Sequence, residues 1–160
     1  MRRHGKIWIA GLALLAMTGG TQAATYSVGV VSQVPYVESH MAAPGIFSDR
    51  YDFSIATLGT GAISVTNVPL YLGFTPLLNI GSLSLDVFDA ANNLLYSGTN
   101  ISGAVTPGSY HAQVTGTATG VSGGAYAIAL AATPVPLPPA LWLLASGLTG
   151  LAALARRRRI

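Results

Sequence analysis

The sequence predicts an all-β fold, a small antiparallel β-sandwich held between two helical targeting segments. Three observations predict it. Residues 24–133 are rich in Gly, Ser, Thr, Val and Tyr and are cut into short runs by Gly, Pro and Asn. Within those runs apolar side chains fall at every second position, the period of a half-buried strand. Uninterrupted apolar stretches occur at the two ends instead, following Lys6 and preceding Arg156.

In chain order the first element is the segment 1–23. Basic Arg2, Arg3 and Lys6 precede an apolar stretch from Ile7 to Met17, and Gly19, Gly20, Thr21, Gln22 and Ala23 follow. This is the build of a helical signal peptide, and its 11 apolar residues are too few for a bilayer core of about 30 Å. Thr21 and Ala23 suit the small pockets of signal peptidase, so a cut between Ala23 and Ala24 is expected. General secretion ranks ahead of the twin-arginine route, since no cofactor motif follows that would require folded export.

Seven strands are expected: Tyr26 to Val31, Tyr51 to Leu58, Ala62 to Val68, Ser82 to Phe88, Leu94 to Ser97, Tyr110 to Thr117 and Tyr126 to Ala131. Seven such strands suit a sandwich. Phe47, Asp49, Tyr51, Phe53 and Ile55 share one face, and Ser48, Arg50, Asp52 and Ser54 share the other. Leu83, Leu85 and Val87 likewise alternate with Ser84, Asp86 and Phe88, and Asp89-Ala90-Ala91-Asn92-Asn93 supplies turn residues, so 82–97 is a predicted hairpin. Pro107-Gly108 marks a turn before the strand at Tyr110.

The last element is 134–160. Pro134, Pro136, Pro138 and Pro139 lack amide donors and hold the chain extended, which predicts an accessible spacer at 134–139 that joins neither sheet nor helix. Ala140 to Ala155 is an apolar helix-forming run whose 16 residues would span about 24 Å, a short transmembrane helix. Arg156, Arg157, Arg158 and Arg159 favour a cytoplasmic end, placing the central domain outside the inner membrane.

Charge supports this division. The whole chain carries a formal +3, yet Arg50 is the one basic residue of 24–133 against Glu38, Asp49, Asp52, Asp86 and Asp89, a formal −4. An acidic domain with no basic patch excludes nucleic acid as a partner. The absence of cysteine excludes disulfides and thiolate chemistry.

VPLPPALWLLASGLTGLAALARRRR, Val135 to Arg159, resembles the PEP-CTERM sorting signal of Gram-negative bacteria. The resemblance implies that Val135, Pro136, Leu137 and Pro138 form a sorting motif cleaved by an exosortase, with Leu137 standing where the family carries an acidic residue. It also implies transient residence in the inner membrane, a destination in the envelope, cell surface or extracellular matrix, and association with exopolysaccharide and biofilm. FSDRYDF, Phe47 to Phe53, is similar to the aromatic and aspartate motif of FxDxF-type PEP-CTERM proteins. DRYDFSI, LDVFDAANNLLYSG, TPGSYHAQVTG and AYAIAL resemble the bacterial pre-peptidase C-terminal type of β-sandwich, and the two likenesses agree on a jelly-roll-like sandwich. The alternative on the same physics is a permanent single-pass anchor carrying a glycan-binding module, with Tyr36, Tyr71 and Tyr96 as stacking faces.

No catalytic residue or cofactor is expected. His40 reads as a loop residue and His111 as a surface or edge residue, and neither lies in a nucleophile–base pattern. Asp49 with Asp52 and Asp86 with Asp89 read as turn-capping and solubilising carboxylates. Calcium is the one metal the sequence offers, through Asp86, Asp89 and Asn92 around a single turn.

Overall fold

The structure, a computed structural model, describes residues 21–135 and 143–149. Alternating side chains build eleven strands. The first four are β1 (Thr25–Val31), β2 (Tyr36–Ala42), β3 (Gly45–Ile55) and β4 (Gly59–Asn67). Then come β5 (Leu70–Leu72), β6 (Thr75–Leu78), β7 (Ile80–Asp89) and β8 (Leu94–Gly98). The chain continues through β9 (Asn100–Val105), β10 (Gly108–Ala118) and β11 (Gly124–Pro134).

Two sheets face each other. One has the order β1-β3-β10-β7-β8 and the other β2-β11-β4-β9, while β5 and β6 form a separate hairpin. The pairing is antiparallel except between β1 and β3, which run parallel, so the expected wholly antiparallel sandwich is corrected at one place. The reason is topological. β2 lies in the opposite sheet, so the chain crosses over and returns beside β1 in the same direction.

The core fills the gap between the sheets. Tyr51, Tyr126, Leu85, Ile128 and Val114 are fully buried and Phe47 nearly so, each large apolar side chain contributing about 1.5–3 kcal/mol on leaving water. Gly116 of β10 makes room for this packing, because a Cβ there would stand 2.7 Å from the Phe47 ring.

Several element boundaries differ from expectation. The strand expected over Tyr51 to Leu58 starts at Gly45 and ends at Ile55, and β2, β5, β6 and β9 were not expected at all. Backbone pairing already begins at Gln22, which bridges to Phe47 inside the segment assigned to a helix. At the other end Pro134 does join the sheet, opposite Gly59. Proline is tolerated there because a strand end needs no donor at that position, and the next amide, of Val135, bonds the Leu58 carbonyl at 3.1 Å.

A helix covers 143–149 within the predicted membrane segment. Among the described residues no helix is long and apolar enough to cross a membrane. The remainder of 140–155, with Pro136, Leu137, Pro138 and Arg156 to Arg159, lies outside the described residues, as do residues 1–20 of the predicted signal segment.

Candidate functional site

The strand register gives the sandwich two poles. At one lie Val31, Ile55, Gly59, Val105, Gly108 and Pro134, and there the chain leaves through Val135. At the other lie Gln22, Gly45, Asn67 and Gly124, together with the β5–β6 hairpin. The chain therefore enters and leaves the domain at opposite ends.

At the exit pole β11 delivers Val135, the one described residue of the predicted sorting motif. Val135 is 55% exposed and the strand ends beside Leu58 at the surface. Gly59 is required opposite it, since a Cβ would come within 2.1 Å of the Thr133 carbonyl oxygen. An apolar cavity of about 300 Å³ lies at the same pole between the sheets, lined by Ile55, Ile63, Ile101, Val105, Leu130 and Tyr110 among others. The Tyr110 hydroxyl donates to the Thr106 carbonyl at 2.8 Å, and that of Tyr96 to the Ala104 carbonyl at 3.2 Å, all four residues lining the cavity.

Nearer the entry pole the core contains a polar and aromatic cluster. Asp49 is 7% exposed; its Oδ2 accepts the Tyr126 hydroxyl proton, and its Oδ1 accepts the Ala24 amide at 3.1 Å. The Tyr51 and Tyr126 hydroxyls lie 2.7 Å apart. Burial first, and then the bond to Asp49, pushes the Tyr126 phenol well above its ordinary value; burial also raises Tyr51. Asp49 is thus a core acceptor, which corrects its expected solubilising role.

His40 belongs to this cluster and not to a loop. It sits on β2 with its ring 4.0 Å from that of Tyr26 and 5.5 Å from that of Tyr51. Its Nε2 lies 3.4 Å from the Glu38 carboxylate, within ion-pair range but not aligned as a hydrogen bond. Glu38 accepts the Tyr36 hydroxyl proton instead.

His111 is likewise corrected. It lies on β10, central in its sheet, and is buried by stacking on Phe88 at 4.9 Å and 9°. Burial, then the charge of Arg50, pulls its pKa below the ordinary value. Beside it Arg50 and Asp52 form an exposed ion pair at 2.8 Å along an outer groove with Ser27, Ser54 and Asn92. Among the described residues neither histidine is hydrogen-bonded to a hydroxyl, the first requirement of a nucleophile–base pair.

The calcium candidates do not converge. Asp86 and Asp89 are three apart on β7 and so point to opposite faces. Asp89 caps its turn, its Oδ1 taking the Ala91 and Asn93 amides at 2.8 Å each and its Oδ2 the Asn93 side chain at 2.8 Å. Those bonds from Asn93 hold its carboxyl below the usual range. Asn92 occupies the left-handed position of the turn, with φ 63°. Among the described residues no group of three or more His, Cys, Asp or Glu could hold a metal. Tyr36, Tyr71 and Tyr96 are also dispersed, on β2, the hairpin and β8, and do not make one stacking surface.

No family profile matches the chain, and no curated protein does. Among solved structures it is similar to the pre-peptidase C-terminal domain of a collagenase from Bacillus anthracis, at 17% identity and TM-score 0.44, covering 68% of this chain and 94% of that one. It is also similar to PliG, a periplasmic inhibitor of g-type lysozyme, from Aeromonas hydrophila (10% identity, TM-score 0.47, 71% and 100% covered). The Salmonella Typhimurium PliG matches at 16% identity and TM-score 0.37, with 68% and 98% covered.

Proposed function

We propose that the chain is an exported, non-catalytic surface or matrix protein of a Gram-negative envelope. Its N-terminal segment is removed by signal peptidase. Its C-terminal segment, a sorting motif, a membrane helix over 140–155 and an arginine cluster, holds it in the inner membrane until an exosortase cleaves near Val135 to Pro138. Association with exopolysaccharide follows from the same resemblance.

One observation carries this reading. β11 runs without a break to Pro134, and the next residue, Val135, stands exposed at one pole of a closed sandwich. A protease can grip such a segment without unfolding the domain. Intact-mass analysis and fractionation in hosts with and without the exosortase test it. Loss of the residues after Pro138 in the first host alone is expected; an unchanged mass and a stable inner-membrane location in both would leave a permanent anchor.

A further inference from the structure

Asp49 is a carboxylate in the core whose hydrogen-bond partners among the described residues are neutral. Its partners are the Tyr126 hydroxyl and the Ala24 amide, and among the described residues no cation pairs with it. Leaving an ion buried without a counter-charge is costly, and such groups are ordinarily paired. The position of the expected signal-peptidase cut supplies the missing charge.

We propose that cleavage between Ala23 and Ala24 converts a backbone hydrogen bond into a half-buried ion pair, the new α-ammonium group of Ala24 against the Asp49 carboxylate. In the intact chain the Ala24 nitrogen is already 3.1 Å from Asp49 Oδ1. It is held there from the other side, because the Arg50 amide donates to the Ala24 carbonyl at 2.8 Å. Hydrolysis places the water oxygen on the Ala23 carbonyl carbon and a proton on the Ala24 nitrogen, which takes up one more proton at neutral pH. No side chain has to move.

Cleavage also has a cost. Gln22 exchanges backbone bonds with Ile46 and Ser48, at 3.1 and 2.8 Å, and side-chain bonds with Ala43, at 3.2 and 3.1 Å, and the processed chain loses all four. The ion pair replaces these exposed contacts with a half-buried one, fastening the new end of the chain to β3. Asp49 then acts as a receptor for a correctly cut N-terminus.

The sequence provides its own probe. Lys6 is the one lysine of the chain, so a protein cut before Ala24 carries a single primary amine, the α-amino group itself. This inference rests on the N-terminal processing in the proposed function and is independent of the C-terminal sorting, which mass analysis of the tail reads separately.

The test exports the full chain, sequences the N-terminus of the product and measures the rate at which an amine-reactive succinimidyl ester acylates it when folded. A start at Ala24 is expected, with acylation about tenfold or more slower than in denaturant, the effect of a carboxylate within hydrogen-bond distance of an amine near its titration point. Asp49→Asn should remove that protection. A second chain, with one glycine inserted between Ala23 and Ala24, keeps the Ala24 amide on Asp49 but moves the amine outward, and should react at the denatured rate even if Asp49→Asn fails to fold. A product starting elsewhere, or equal acylation rates in the native chain and the glycine-inserted chain, overturns the proposal.

Discussion

Tyr126 on β11 donates its hydroxyl proton to Asp49 on β3, joining the two sheets in mid-core by a charge-assisted hydrogen bond. Tyr126→Phe would strand the Asp49 oxygen, a loss of about 1–3 kcal/mol. Tyr51→Phe should cost less, because Tyr51 meets the Tyr126 hydroxyl and not the carboxylate. Urea unfolding of the two variants orders them, and a larger loss for Tyr51→Phe would contradict the assignment.

The same phenols set an alkaline limit. Burial raises the folded-state pKa of Tyr126 and Tyr51 above the unfolded value of about 10, so the folded chain holds these protons more tightly. Their contribution is complete below about pH 10 and is lost as pH rises beyond it. Melting temperature should fall steeply there in the native protein and less steeply in the Tyr126→Phe chain.

His111 acts at the acid side. Its folded pKa is lowered by burial, so the unfolded chain binds the proton first. Stability is therefore full above the unfolded value of about 6.5 and declines as pH falls toward the folded one. His111→Gln should flatten that slope in a comparison of melting temperatures between neutral and mildly acid pH.

Gly59 packs against the backbone at the end of β11. Gly59→Ala drives a methyl group into the Thr133 carbonyl, and overpacking of this kind costs about 1–3 kcal/mol. If the tail is cut as proposed, the displaced strand end should also change the ratio of cut to uncut chain on a gel. Unchanged stability and an unchanged ratio would show that the strand end adapts.

Calcium should leave the melting temperature unchanged, since the Asp89 oxygens are already taken by Ala91 and Asn93 and Asp86 points to the other face. A rise on adding millimolar calcium would reveal a different ligand set.

The sandwich was legible because strands such as β3 and β7 alternate cleanly, and even the inward position of Asp49 follows from its place between Phe47 and Tyr51. Its partner Tyr126 was not, lying 77 residues away in the other sheet, where only the register brings them together. β2 was missed for a physical reason: it turns Val37 and Met41 to solvent while Glu38 and His40 lean inward, inverting the usual pattern. β9 was hidden because Thr99 alone separates it from β8, and the β5–β6 hairpin because Pro69 and Pro76 read as breakers. His111 falls on the outer face by alternation; the neighbouring Phe88 ring, not the core, buries it.

The continuity of β11 with the tail has a mechanical consequence. β11 is an interior strand, paired with β2 over Gly124–Leu130 on one side and with β4 over Tyr126–Pro134 on the other. Were the tail tethered as proposed, tension on it would run along that strand, perpendicular to its hydrogen bonds, and load the two ladders in shear, together where both flank it at Tyr126–Leu130. A domain pulled from Val135 would have to break several of these bonds together before it yields.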